Sequence, residues 1–199
     1  MSEEIRSKPV YTELVPDRSG LQHVLVGEGP GAEVLLNLCR AWQADAESPE
    51  YAIFYYDSGD CQWVSKLNEQ PGDAVGIFTA QDDLENSLRR KLATVHMGAR
   101  LYVAGSESFI WRVVNIARAA GMEEDAMQMQ RCGTLARPTI CVHCQTMQTN
   151  ITTNIYQCPG CGCHVLVRDH FSRRLGAYQA VCVDAENPGQ IPPIEEIYP

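Results

Sequence analysis

The stretch Gln22-His-Val-Leu-Val-Gly-Glu-Gly-Pro-Gly-Ala-Glu-Val-Leu-Leu-Asn-Leu-Cys-Arg-Ala-Trp-Gln43 contains a strand, a turn and a helix in succession. Residues 22–26 begin a regular alternation that reads as a strand, and Gly27-Glu-Gly-Pro-Gly31 follows it. From residue 32 to 43, Val34, Leu35, Leu38 and Trp42 recur at the spacing of one helical face. The alternation continues outward. Residues 51–56 (Tyr-Ala-Ile-Phe-Tyr-Tyr), 74–79 and 100–103 read as strands. Residues 84–95 read as a helix with a basic second half, where the dipole favours cations, and 109–120 as a helix stopped by Gly121. Short strands joined through helices need crossover connections, so about residues 21–130 predict an α/β domain with a mainly parallel sheet. Ligands of such sheets bind beyond the carboxyl ends of the strands. That rule nominates the loops Gly27 to Gly31, Asp57 to Asp60 and Ala104-Gly-Ser-Glu-Ser108.

The glycine-rich loop can be read in two ways. Backbone amides between a strand and a helix can cradle a pyrophosphate, with Gly27, Gly29, Gly31 and Gly105 as the contacts. However, the loop is not G-x-G-x-x-G, and Glu28 puts negative charge where a phosphate wants positive neighbours. A tight turn alone accounts for it equally well.

Beyond Pro138 the pattern changes. Cys141-Val-His-Cys144 and Cys158-Pro-Gly-Cys161 form two C-x-x-C pairs separated by residues 145–157. Each pair sets two thiolates on one turn, and two such turns close an all-sulfur tetrahedral shell with no open position, which marks a structural site. Zinc is the expected occupant, with a rubredoxin-like single iron as the rival. The spacing favours a four-cysteine shell over one that recruits His143 or His164. Arg168, His170, Phe171, Arg173 and Arg174 follow as a basic and aromatic cluster suited to docking a partner, joined by Tyr198 in the proline-rich tail. That tail looks poorly suited to folding on its own chain. The divisions read as an arm at residues 1–20, the α/β domain at 21–134, a zinc ribbon at 135–183 and an extended tail at 184–199.

Composition bounds the function. The 199 residues are 45% hydrophobic and carry a net charge of −9, which disfavours general affinity for nucleic-acid phosphates. No apolar run approaches a membrane span, and the acidic opening Met1-Ser-Glu-Glu lacks the features of a secretory signal. Nine cysteines without a disulfide-like framework fit a cytoplasmic protein. Asp169-His170 beside Ser172 lacks a nucleophile elbow and makes a poor hydrolase site.

The order of elements resembles the nicotinamide-binding half of the ferredoxin-reductase family, where a strand ending in Cys-Gly-Pro precedes the last long helix. Residues 98–121 align with that landmark, but Ala104 stands in place of the cysteine and Ser106 in place of the proline. Ala32-Glu33 replaces the Thr-Pro of the glycine-rich turn. Roughly twenty residues precede the first strand, far short of a flavin-binding barrel. The knuckles together with His164-Val-Leu-Val-Arg-Asp-His-Phe-Ser-Arg-Arg-Leu-Gly-Ala-Tyr178 resemble the small-subunit family of the multicomponent dimethylamine monooxygenases, over nearly the whole chain.

This second resemblance implies an NADPH- and O2-dependent complex that converts dimethylamine to methylamine and formaldehyde. NADPH, FMN, an iron–sulfur cluster and haem would lie on companion subunits, a catalytic haem subunit and a flavin/iron–sulfur reductase. This chain would be a non-flavin accessory subunit that carries zinc. A single-iron electron-transfer subunit of such a complex and a stand-alone zinc-ribbon regulator stay open as alternatives.

Overall fold

The computed structural model describes residues 7–44, 49–59, 61–71 and 75–199. It divides into two compact units, one formed by Tyr11–Gly133 and one by residues 7–10 with Thr134–Pro199.

The first unit runs β1 (Gln22–Glu28), α1 (Gly31–Gln43), β2 (Tyr51–Tyr56), α2 (Val64–Asn68), β3 (Val75–Phe78), α3 (Gln81–Leu92), β4 (Ala99–Gly105), α4 (Glu107–Ala119), a 3-10 turn at Glu124–Ala126 and β5 (Met127–Arg131). Its sheet has the order β3-β2-β1-β4-β5 with every neighbouring pair parallel. The α/β class with a parallel sheet is therefore what the chain forms, and the strand order reverses between β1 and β4.

Side chains alternate across the strands. Leu25, Ile53, Tyr55, Tyr102 and Ala104 join Leu35, Leu36, Leu38, Cys39 and Trp42 of α1 and Leu67 of α2 in one core layer. Val24, Val26, Phe54, Leu101 and Val103 are buried on the opposite parity, where α3 packs on β2 and β3 and α4 on β4 and β5. Each large apolar side chain taken out of water contributes about 1.5–3 kcal/mol, so the two layers together provide the driving force for this unit.

Several boundaries differ from the sequence reading. The residues read as the loop Ala104 to Ser108 are the end of β4 and the start of α4, because Ser106 caps the helix by accepting a hydrogen bond from the Phe109 amide (3.3 Å). Helix α3 starts and stops three residues early. Asp82 and Asp83 favour its first turn, and the Thr94 hydroxyl bonds the Lys91 carbonyl (2.8 Å) just past its end. The short α2 is not visible in the apolar pattern. Ala74 and Asp60 lie outside the described residues.

Residues 11–18, read as an irregular lead-in, are tied to this unit. The Thr12 amide donates to the Met129 carbonyl (3.2 Å), and the Tyr11 hydroxyl donates to Glu107 (2.7 Å) while accepting from the Trp111 indole (2.9 Å). Asp17 accepts from Ser19 and pairs with Arg100 at 2.6 Å.

The second unit runs β6 (Arg137–Cys141), β7 (Met147–Ile151), β8 (Ile155–Gln157), β9 (His164–Ser172) and β10 (Ala177–Cys182), ordered β7-β6-β10-β9-β8. β6 and β10 are parallel and the other pairs antiparallel. The tail forms no helix, but its end does fold on its own chain. Asn154 and Glu195 share a backbone bond (2.9 Å), the Tyr198 amide donates to Thr152 (2.8 Å), and Thr153 bridges Glu196. The cause is Arg137, only 6% exposed, which lies between the rings of Tyr178 (4.2 Å) and Tyr198 (4.0 Å) and donates to the Tyr198 hydroxyl (2.9 Å). It also pairs with Asp169 at 2.7 Å. Among the described residues no helix is long and apolar enough to cross a membrane.

The Asp17 link yields a test. Hydrogen bonds from Ser19 first, and then from Arg100, hold its carboxyl down at about 2. A folded-state pKa below the unfolded value of about 3.9 contributes stability above that value and loses it as pH falls through the folded pKa. Asp17→Asn should lower the urea unfolding midpoint at pH 7 by an amount equivalent to about 1 kcal/mol for this part-exposed pair, and the difference should vanish as the pH approaches 2.

Candidate metal centre and glycine-rich crevice

The end of β6 and the turn after it carry the first knuckle. The Gln145 amide donates to the Cys141 carbonyl (2.9 Å) and the Cys141 amide to the Thr146 carbonyl (3.0 Å), a closure that puts Gln145 at φ +62°. In the second knuckle the Gly162 amide donates to Cys158 (2.8 Å) and the Cys158 amide to Cys163 (2.9 Å), with Gly162 at φ +75°. Positive φ is the region glycine enters without strain.

The two turns bring four sulfurs together. Cys141, Cys144, Cys158 and Cys161 have their Sγ atoms within 4.8 Å of one another, with 3.8 Å between Cys141 and Cys161 and 3.5 Å between Cys144 and Cys158. A tetrahedron with ~2.3 Å metal–sulfur bonds has edges of about 3.8 Å, so the cluster has the dimensions to hold one metal ion. Its electrostatics call for a cation. The Thr146 hydroxyl, 3.1 Å from Cys144, and the Thr146 amide pull the Cys144 thiol down to about 6, whereas burial pushes Cys141 up to about 11. Gathering the second charge at this spacing is unfavourable until a metal neutralises it.

Thr146 is a contributor not visible in the sequence. Gly160, legible there as a turn glycine of the second knuckle, also makes room for the first: a Cβ on it would lie 2.0 Å from Thr146 Oγ1 and 3.1 Å from Cys144 Sγ. His143, Cys161 and Cys163 form a further set with ligand atoms within 4.8 Å, which brings the exposed His143 to the edge of the cluster. His164 belongs to neither set.

The residues read as a docking cluster separate in space. Arg168, His170, Arg173 and Arg174 are exposed on β9 and the following turn. Phe171 does not present its ring to a partner. It is 3% exposed and packs edge-on against Tyr178 at 4.8 Å, because strand alternation turns it inward from His170. Tyr198 is half-buried against Arg137.

In the first unit, Gly27 lies opposite both Tyr55 and Ala104, at the carboxyl ends of β1, β2 and β4. Gly29 has φ +49° and its carbonyl accepts from the Tyr55 hydroxyl (3.2 Å). A Cβ on Gly31 would meet the Ala104 carbonyl oxygen at 2.2 Å, and one on Gly105 would meet Glu28 Cγ at 2.7 Å. Gly31 is thus spent on close backbone approach, Gly27 and Gly105 on side-chain packing, and Gly29 on a positive φ. Glu28 Oε1 accepts from the Ser106 amide (3.0 Å) and the Ser106 hydroxyl (2.5 Å). Burial pushes the Glu28 carboxyl up, while the Ser106 bonds and the charge of Arg112 oppose the shift.

Comparison with solved structures finds a ferredoxin reductase of carbazole 1,9a-dioxygenase at 13% identity and TM-score 0.43, covering 60% of this chain and 35% of that one. It also finds an Amycolatopsis cytochrome P450 reductase at 15% identity and TM-score 0.45, covering 62% and 42%. The chain thus spans well under half of these reductases. A curated protein of Ectopseudomonas mendocina (strain ymp), the heme-dependent oxidative N-demethylase delta subunit, is 40% identical over 117 residues, covering 59% of this chain and 67% of that one. Residues 3–127 match the N-terminal domain, and residues 139–181 the C-terminal domain, of the dimethylamine monooxygenase subunit DmmA-like proteins, and the chain belongs to that family.

Proposed function

We propose that this chain is a non-flavin accessory subunit of an oxidative N-demethylase complex that works on dimethylamine. In the balanced reaction, dimethylamine, O2, NADPH and a proton give methylamine, formaldehyde, water and NADP+. Family membership and the name of the 40% identical relative support the setting. The accessory role is carried by Ala104. Where the resembled reductases have a cysteine, this chain has a fully buried alanine whose carbonyl is packed against Gly31. No side chain is offered there for hydride chemistry. NADPH, FMN, iron–sulfur and haem centres would belong to companion reductase and haem subunits of a cytoplasmic complex. In this reading residues 1–20 are an arm, 21–134 a reductase-like body, 135–183 a zinc ribbon and 184–199 a tail.

Zinc would be held by Cys141, Cys144, Cys158 and Cys161. A closed four-thiolate shell of tetrahedral dimensions suits a metal that needs no open position and no redox change. Its contribution would be structural, stapling two turns whose small hydrophobic cluster is too slight to hold them alone. Elemental analysis should give one zinc per chain. Gly160→Ala should weaken zinc retention against a chelator by about 10–100-fold, since it displaces Thr146 and Cys144. Gly162→Ala adds only backbone strain, with nothing within 4 Å of its new Cβ, and should lose far less. Stoichiometric iron, or a Gly160→Ala chain with unchanged affinity, would contradict the assignment.

The exposed basic residues Arg168, His170, Arg173 and Arg174 are the proposed partner contacts on the ribbon, with Tyr198 supporting them through Arg137. The combined Arg173→Ala/Arg174→Ala variant should retain zinc yet co-purify less of the haem and reductase subunits, and lower dimethylamine-dependent NADPH oxidation by roughly tenfold, the scale of one good anchor. The isolated chain should oxidise no NADPH with an artificial acceptor. Turnover by the isolated chain, or full activity of a complex lacking it, would overturn the accessory role.

A further inference from the structure

An open α/β sheet takes its ligand in the crevice where strand order reverses. Here that place lies between β1 and β4, at the glycine-rich turn and the start of α4. The amides of such a helix start draw in anions. In this chain one is already there. Glu28, the last residue of β1, turns its carboxylate onto the Ser106 amide and hydroxyl at 3.0 and 2.5 Å, with its Cγ packed over Gly105.

We infer that Glu28 is a built-in ligand: its carboxylate fills the anion position of the β1/β4 crevice and keeps nucleotide phosphates out. Several of the donors a phosphate would use are engaged. The single Ser106 hydroxyl proton goes to Glu28, and its oxygen accepts from the Phe109 amide (3.3 Å). At the start of α1, the Ala32 amide bonds Gly29 and the Glu33 amide bonds Pro30, both at 3.1 Å, while Pro30 has no amide hydrogen. Glu33 adds a second negative charge in that first turn. A phosphate entering this crevice would meet a carboxylate at contact distance; the turn 27–33 holds no basic residue, and Arg112 of α4, whose charge reaches Glu28, is already paired with Glu85 (3.2 Å) and Gln81 (2.9 Å).

The bond also does structural work. It joins the end of β1 to the cap of α4 across the switch point, so a contact that a bound ligand would otherwise make is made by the chain itself. The inference does not depend on the demethylase reading, because it concerns binding by the full-length chain without companions or turnover.

The test is calorimetric titration of the wild-type, Glu28→Ser and Glu28→Gln chains with inorganic pyrophosphate and with NADPH, after circular dichroism has verified the fold. The wild type should bind neither at millimolar concentration. Glu28→Ser, which empties the position, should gain at least about tenfold in pyrophosphate affinity, the scale of an anion freed to use a helix start. Glu28→Gln removes the charge but keeps the volume and should gain less. It carries the test alone if the serine variant does not fold, any measurable gain over wild type then supporting exclusion. Wild-type binding that neither substitution improves, or folded variants with no gain, would overturn the inference.

Discussion

The α/β unit depends on one backbone approach, that of Gly31 to the Ala104 carbonyl. With only 2.2 Å between that oxygen and where a Cβ would be, no other residue lets α1 begin directly over the end of β4. This contact brings β1, α1 and β4 together, and the burial of Leu25, Leu35, Tyr102 and Trp42 in one layer follows from it. It also explains why a glycine-rich turn persists without a phosphate-binding fingerprint. Glycines there answer a packing demand as much as a ligand demand, and in this chain packing accounts for Gly31, Gly27 and Gly105.

The ribbon solves a comparable problem with charge. A guanidinium as buried as that of Arg137 is costly unless its charge and hydrogens are matched. Asp169 supplies the opposite charge, the Tyr198 hydroxyl an acceptor, and the Tyr178 and Tyr198 rings two π faces. The partners come from β9, β10 and the tail, so the demands of one residue organise three segments. The Gly160 notch plays the corresponding role at the sulfurs, where it lets one knuckle close on the other.

The α/β class was legible because strand and helix periods alternate clearly from Gln22 to Gly121, and the sulfur cluster because C-x-x-C spacing encodes a turn directly. What the sequence hid are the places where tertiary contact overrides local pattern. Phe171 reads as an interface aromatic beside arginines, yet it sits on the inward parity of β9. Arg137 looks like any surface cation until β10 and the tail cover it. Ser106 reads as loop until its hydroxyl caps α4, and Glu28 reads as an obstacle to phosphate without any hint that it reaches the position itself. The irregular lead-in and the tail lack periodicity, and their bonding partners lie a hundred or forty residues away in the chain.

The distribution of large aromatics has a spectroscopic corollary. The chain has three tryptophans, Trp42, Trp63 and Trp111, and all of them fall within Tyr11–Gly133, two being fully buried. The ribbon carries tyrosines such as Tyr156, Tyr178 and Tyr198 but no indole. Emission excited at the red edge of the absorption band therefore reports on the α/β unit alone. That signal follows the unfolding of the α/β unit separately from that of the tyrosine-only unit that carries the four-sulfur cluster.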